Sequence, residues 1–388
     1  MLFIQEEHIV DQHSKAELIK TYRKQYKRAK KAEKSRIIGV IIEATLYCRK
    51  HVIRALNRDV DVPKRITRLR LSRYEPIVEP LEKLWAVSNF LCGKRLEPFL
   101  PELLANMKRH NEIQLTAEEE ALLLSIKSAT IDRLLKPARR GLVPKGRSTT
   151  KPGTLLKHQI PIRTFTDWIE DKPGFLEVDL VAHCGDSARG EYINTLTMTD
   201  VCTGWTVTTA FIGRSERFCT EAIDEIKPSL PFPILGIDSD NGAEFINFHL
   251  TSYCEREHIT FTRGRAYKKN DSCYVEQKNW DVVRKWIGYG RFETRKQLDV
   301  IKRIERLLAF HQNYFQPSQK LISKTRIGAK VKKKYDIAQT PAQRLIARKD
   351  TPKGIKKRLI DTSQQLNAAA LIRDINALVE ELCDATIR

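Results

Sequence analysis

From Phe175 to about Gly290 the sequence passes through short strand-like and helix-like segments in a set order, and that order limits the fold more than any other feature. FLEVDLVAH reads as a first strand, and EYINTLTMTDV and WTVTTAFI as a strand pair turning around Cys202, Thr203 and Gly204. A helix in ERFCTEAIDEIK follows, then the apolar run ILGIDSD, which closes at Asn-Gly. FINFHLTSYCERE reads as a helix, HITFTRG as a fifth strand and DSCYVEQKNWDVVRKW as a third helix. Three strands in succession followed by helix-separated strands predict an α/β domain on a mixed five-stranded sheet.

Three acids mark that order. Asp179 lies in the first strand, Asp240 opens the turn after the fourth, and Glu276 lies in the third helix, with 35 residues between the last two. Hard divalent cations take carboxylate oxygens, and two Mg²⁺ about 3.5 to 4 Å apart can steady both the attacking and the leaving oxygen of an in-line phosphoryl displacement. Two strand ends and a helix can bring three carboxylates to such a pair, so no nucleophilic side chain is required. Glu177 shares a strand face with Asp179, and Asp238 with Asp240, because side chains repeat every second residue. Asp186 and Glu244 lie near in sequence, and the trio is preferred over all four. His183 reads as a structural, hydrogen-bonding histidine.

The wording around the acids, DNGAEF and VEQKN, with their order and spacing, resembles the catalytic core of the retroviral integrases and the related bacterial insertion-sequence transposases. The resemblance implies a ribonuclease-H-like sheet with Asp179, Asp240 and Glu276 as the catalytic and metal-binding residues. It implies two Mg²⁺ ions, with Mn²⁺ as a substitute, and DNA strand cleavage followed by 3′-hydroxyl strand transfer. The partners would be double-stranded DNA, both element terminal repeats and target, and further copies of the chain as a dimer or tetramer on paired ends. Many bacterial members carry Lys or Arg seven residues after the Glu; here Val283 stands there, before Arg284 and Lys285, so that contact is not carried over. The alternatives are a metal-dependent nuclease of the same fold and a transposase-derived, non-catalytic DNA-binding regulator.

The net charge of +21 is unevenly spread. Residues 1–150 hold 31 Lys/Arg against 18 Asp/Glu, residues 151–314 hold 22 against 23, and residues 315–388 hold 16 against 7. Basic flanks around a near-neutral centre suit flanks that grip a polyanion and a centre that holds the acids. The expected divisions are a basic helical, first helix-turn-helix region at 1–62, a second helical helix-turn-helix domain at 63–142, and a Pro/Gly/Ser/Thr-rich linker at 143–160. The catalytic core follows at 161–314, and a small basic C-terminal region with a terminal helix at 315–388.

The first region reads as helical from Ser14 to Lys34, then as two short helices broken near Ala44 to Tyr47; the second of these would present Arg49, Lys50 and Arg54. In the next block Thr116 and Glu119 form a capping box and Ser128 restarts a helix, with Arg133, Lys136, Arg139 and Arg140 at or beyond its end. Arg265, Lys268 and Lys269 precede the Glu276 helix, and Lys332, Lys333 and Lys334 form a basic strand or loop after the core; all are candidate DNA contacts. DTSQQLNAAALIRDINALVEEL has one amphipathic helical pattern, open to packing on its own chain or on a partner. The eight scattered cysteines lack metal-ligand spacing and read as buried, reduced thiols. With no membrane-length apolar run and no signal-peptide pattern, the expected location is the bacterial cytoplasm, at the nucleoid, with no membrane partner.

Overall fold

The structure is a computed structural model describing residues 11–58, 73–139, 171–213, 216–239, 245, 248–263, 278–328 and 330–387. It divides into two compact units, Met1–Ser72 and Arg73–Arg388.

The first unit holds three helices, α1 (Gln12–Arg28), α2 (Lys31–Thr45) and α3 (Arg49–Asn57). Asp11 caps α1 by accepting the Ser14 N–H at 2.8 Å. The run expected to be one helix from Ser14 to Lys34 is interrupted where Ala29 and Lys30 turn extended. Leu46, in the left-handed region at φ 58°, ends α2, and three residues lead into α3. Ile19, Tyr26, Ile38, Ile41, Val52 and Leu56 close a small core. Arg49, Lys50 and Arg54 are exposed.

The second unit opens with α4 (Val78–Val87), α5 (Gly93–Arg109), α6 (Ala117–Ser125) and α7 (Ser128–Leu134). Thr116 and Glu119 form the expected capping box. Asp132 accepts the Gly93 N–H at 2.9 Å and Glu97 accepts the Ser128 N–H at 2.8 Å, which locks α7 to the start of α5.

The sheet contains β1 (Phe175–Ala182), β2 (Ile193–Asp200), β3 (Thr206–Ile212), β4 (Gly236–Ser239) and β5 (Thr260–Arg263). Its order is β3-β2-β1-β4-β5, with β1, β2 and β3 antiparallel and β1, β4 and β5 parallel. This is the mixed five-stranded sheet that the segment order predicts. Buried Asp200 holds the β2–β3 turn by accepting from the Thr203 N–H and hydroxyl at 2.7 and 2.6 Å, and from the Gly174 N–H at 2.8 Å. Gly204 takes φ 77° there, which a side chain would resist.

Two helices, α8 (Glu216–Ile226) and α9 (Phe248–Arg256), supply Ile223, Leu250 and Tyr253 to a core with Leu176, Val178, Leu196, Met198, Val207 and Ile237 of the sheet. After the sheet come α10 (Arg295–Phe315), a hairpin of β6 (Leu321–Ile327) and β7 (Lys330–Tyr335), then α11 (Pro341–Ala347), α12 (Lys353–Gln365) and α13 (Ala368–Ile387). The other sheet face meets α10 and α13, where Val181, Ile193 and Ala210 cluster with Ile301, Ile304, Ile375 and Leu378. Asn313 of α10 accepts the Thr206 N–H at 2.8 Å and donates to its carbonyl at 2.7 Å, so the open edge of β3 is paired at its first residue.

The terminal amphipathic pattern forms two helices, because Asn367 accepts the N–H groups of Ala369 and Ala370 and starts α13 afresh. The helices of 73–139 belong to the same unit as the sheet. Asn106 donates to the Leu366 carbonyl at 2.7 Å, Arg95 donates to that of Pro317 at 2.7 Å, and Glu112 pairs with Arg373 at 2.7 Å. Cys184, Cys219 and Cys254 are buried as expected, whereas Cys48, Cys92 and Cys383 are exposed. Among the described residues no helix is long and apolar enough to cross a membrane.

Candidate active site

Strand alternation places Glu177, Asp179 and Val181 on one face of β1. Register then aligns Thr206, Thr199, Glu177, Asp238 and Thr262 in a row across all five strands. One step along, Thr208, Thr197 and Asp179 form a second row. Glu177 and Asp238 are fully buried, and Asp238 accepts the Thr262 hydroxyl. Asp179 is only half-buried. Two carboxyls in the lower row therefore brace the sheet interior, while the acid of the upper row reaches toward solvent.

Asp179 is fixed at both oxygens. Its Oδ1 accepts the Leu180 N–H at 2.8 Å, and its Oδ2 accepts from Asn279 Nδ2 at 2.5 Å. Asn279 opens a π-helical segment, Asn279–Arg284, that continues as a short α-helical turn, Lys285–Ile287. Widened turns of this kind recur at functional sites. Arg284 donates to the Ala182 carbonyl at 2.9 Å, and Val282, Val283 and Ile287 join the core around Val181 and Ile193. The segment is thus tied to β1 at two points, one at the acid and one at the strand end. Val283 is a core residue, which agrees with leaving out a basic contact there.

Asp240 and Glu276 lie outside the described residues, as do Arg140, Arg265, Lys268 and Lys269. Their neighbours are informative. Ser239, immediately before Asp240, is in register with Val178, immediately before Asp179. Asn279, three residues after Glu276, touches Asp179 itself.

His183 is structural. Its ring shares a 3.0 Å hydrogen bond with Thr195, and burial, reinforced by Arg284, drives its pKa down to about 3, so it stays neutral. Thr195 also donates to Glu305 of α10 at 2.8 Å; burial pushes that carboxyl up to about 8. Sequence reasoning did not find Glu305 or Asn279 as partners of the sheet. For Glu305 the only signal is a carboxyl on the apolar stripe of α10.

Oxygen donors dominate the surroundings of Asp179. The buried Thr197 and Thr208 hydroxyls and the Asn279 side-chain Oδ1 have no hydrogen-bond partner among the described residues. Carboxylate, hydroxyl and amide oxygens with no thiolate or imidazole fit a hard cation such as Mg²⁺ or Mn²⁺. The described residues alone hold no cluster of three or more acids, histidines or cysteines.

Of the other candidate contacts, Lys332, Lys333 and Lys334 are exposed on β7 and Lys136 is exposed after α7. Arg133 bonds to Thr130 on its own helix. Arg139 is engaged by Asp132 at 2.7 Å and lies over the Trp85 ring.

Over 334 residues the chain is 37% identical to the uncharacterized protein y4rM of Sinorhizobium fredii (strain NBRC 101917 / NGR234), a match covering 85% of this chain and 95% of that protein. The chain belongs to the y4rM family. No family model matches it. Among solved structures it is similar to the catalytic core domain of BIV integrase, with TM-score 0.30, 15% identity, and coverage of 44% of this chain and 91% of that one. It is also similar to the HTLV-2 integrase catalytic core domain in complex with magnesium, in dimeric form, with TM-score 0.28, 16% identity, and coverage of 38% and 90%.

Proposed function

We propose that this y4rM-family chain is a DNA transposase that cuts the ends of a mobile element and joins their 3′-hydroxyls to target DNA. The observation that carries the reading is convergence on Asp179. The strand residue preceding Asp240 is in register with the residue preceding Asp179, and the residue three beyond Glu276 bonds to the Asp179 carboxylate. On this reading Asp179, Asp240 and Glu276 hold two Mg²⁺ ions. When bound, these ions offset charge on the attacking and leaving oxygens of the phosphodiester.

The chain's own residues do the rest. Asn279 holds one oxygen of Asp179 and so sets the direction of the other, and the Arg284 anchor keeps the Asn279 segment along β1. Arg265, Lys268 and Lys269, just ahead of Glu276 in sequence, are suited to the scissile strand's phosphates. The three-helix unit, with Arg49, Lys50 and Arg54 exposed on α3, is suited to the terminal repeats as a helix-turn-helix. Joining two ends in one event calls for at least two copies of the chain on paired DNA.

The test is a strand-transfer reaction with Mg²⁺, using oligonucleotides copied from inverted repeats flanking the gene and a supercoiled plasmid as target. Covalent joining by the wild type, lost at least about 10³-fold in Asp240→Asn with DNA binding retained, is the expected result. Plasmid nicking without joining would point to a nuclease, and binding without either reaction to a regulator; both outcomes overturn the proposal.

A further inference from the structure

The β6–β7 hairpin is built unlike the rest of the second unit. Every residue of β6 is exposed, as are Val331 to Tyr335 of β7, so neither face of this two-stranded ribbon is covered. Ribbons of two strands are marginal in water without a packed face. Its charges make it less stable still. Lys324 stands directly opposite Lys333, Arg326 and Lys332 follow on their strands, and no acid occurs between Leu321 and Tyr335. Like charges facing each other across an antiparallel pair oppose strand pairing.

The root, in contrast, is firmly held. Lys320 donates to the carbonyls of Val201 and Cys202 at the β2–β3 turn, and Asp336 accepts the Lys320 N–H at 2.6 Å. Arg344 of α11 grips Asp336 at 2.6 Å and the Ser318 carbonyl at 2.7 Å, with only 11% of its side chain exposed. A rigid root and a bare, cationic shaft suit a partner that surrounds the ribbon on more than one side.

We propose that this ribbon inserts into the major groove of double-stranded B-form DNA. The proposal rests on the DNA-transposase reading and adds where and how the chain reads duplex. A seven-residue strand extends about 24 Å at about 3.4 Å per residue, roughly seven base pairs of groove. The B-form major groove, about 12 Å wide, admits a two-stranded ribbon. Lys332 and Lys334 share one face with Ser323 and Thr325, while Lys324, Arg326 and Lys333 lie on the other. Cations are therefore available both to base edges and to the flanking phosphates. Lipid is a poorer match, because the exposed apolar residues Leu321, Ile322, Ile327, Val331 and Tyr335 are interspersed along both strands with those lysines and Arg326, and Ile327 and Val331 sit on opposite faces, so neither face is an apolar side. The major groove of duplex RNA is too deep and narrow for side chains to read.

The experiment uses the full chain, without divalent metal, and a 40-base-pair mixed-sequence DNA duplex alongside an RNA duplex of the same sequence. Anisotropy titrations over a salt series give affinity and salt slope, and dimethyl sulfate protection of guanine N7 reports occupancy of the DNA major groove. The variant is Lys324→Gln/Lys332→Gln/Lys333→Gln/Lys334→Gln. It relieves the Lys324–Lys333 repulsion, so its thermal midpoint should equal or exceed that of the wild type.

The wild type is expected to prefer DNA to RNA and to protect N7 positions. The variant is expected to lose most of that protection, keeping only what the α3 helix gives, and at least tenfold in DNA affinity, with a salt slope shallower by up to about 3.6 if each lysine neutralises one phosphate. Equal losses on DNA and RNA, protection undiminished in the variant, or unchanged DNA binding would each overturn the ribbon assignment. A wild-type chain that binds no DNA at all would instead bring down the transposase reading beneath it.

Discussion

The two faces of the central sheet are equally buried and are stabilised in opposite ways. On one, Leu176, Val178, Leu196, Met198, Val207 and Ile237 meet α8 and α9 through dispersion and removal of apolar area from water. On the other, the first two rows hold threonines and acids, where the Thr206 N–H is satisfied by Asn313 of α10 and the Asp238 carboxylate by Thr262 of β5 rather than by solvent. One row further, Thr195 bonds to Glu305 of α10. The first face tolerates imperfect aim, because apolar contact is non-directional. The second does not, since a buried carboxyl without a well-placed donor is costly. The face that must be aimed is also the face that carries Asp179, so directional bonding around Asp238 and Asn279 doubles as alignment of the site.

That contrast can be broken most forcefully on the apolar face. Leu196 is fully buried among large neighbours, and Leu196→Ala should lower unfolding free energy by about 2 to 5 kcal/mol in denaturant titration. A loss under 1 kcal/mol would mean that the face is loosely packed and the asymmetry overstated.

On the polar face the effect should depend on pH. In the unfolded chain the Glu305 carboxyl ionises near 4.5, whereas burial raises it to about 8 in the fold. Between those values the folded form holds a proton that the unfolded chain has released, so stability is full below about 4.5 and is lost as pH rises through 8. Glu305→Gln should therefore unfold several °C higher than wild type at pH 8.5 and show little gain at pH 4.5 by differential scanning fluorimetry. A variant with no pH-dependent difference would show that the carboxyl is charged in the fold.

The smallest effect belongs to Thr197, whose buried hydroxyl has no partner among the described residues. Thr197→Val should leave stability unchanged or raise it by up to about 1 kcal/mol. A clear loss would reveal a bond from that hydroxyl to the Asp179 site.

Much of this was legible because it is local. The period of two along FLEVDLVAH put Glu177 and Asp179 on one face, the strand and helix order gave the mixed sheet, and Thr116 with Glu119 announced a helix start. What stayed hidden depends on partners distant in sequence. Nothing in LEVDL or GIDSD reveals that Glu177 and Asp238 stand side by side; only the β1–β4 register does. Helical spacing in VEQKNW puts Asn279 on the face of Glu276, but nothing there shows that its amide bonds to Asp179. The break between α12 and α13 was missed because Asn367 interrupts an otherwise continuous amphipathic pattern, and a capping asparagine looks the same as a solvated one. The placement of 73–139 against the C-terminal helices rests on single side chains such as Arg95 and Asn106 reaching backbone carbonyls, which leave no periodic trace.

The Asn106 contact bears on how the chain is made. Its partners, Leu366 and Ala368, lie about 260 residues downstream. During synthesis α5 therefore emerges well before the groups that satisfy it, and at about 5 to 20 residues per second it waits on the order of tens of seconds. Over that interval the early helices must persist as a provisional bundle, held by their own packing, until the closing helices arrive to lock it to the sheet.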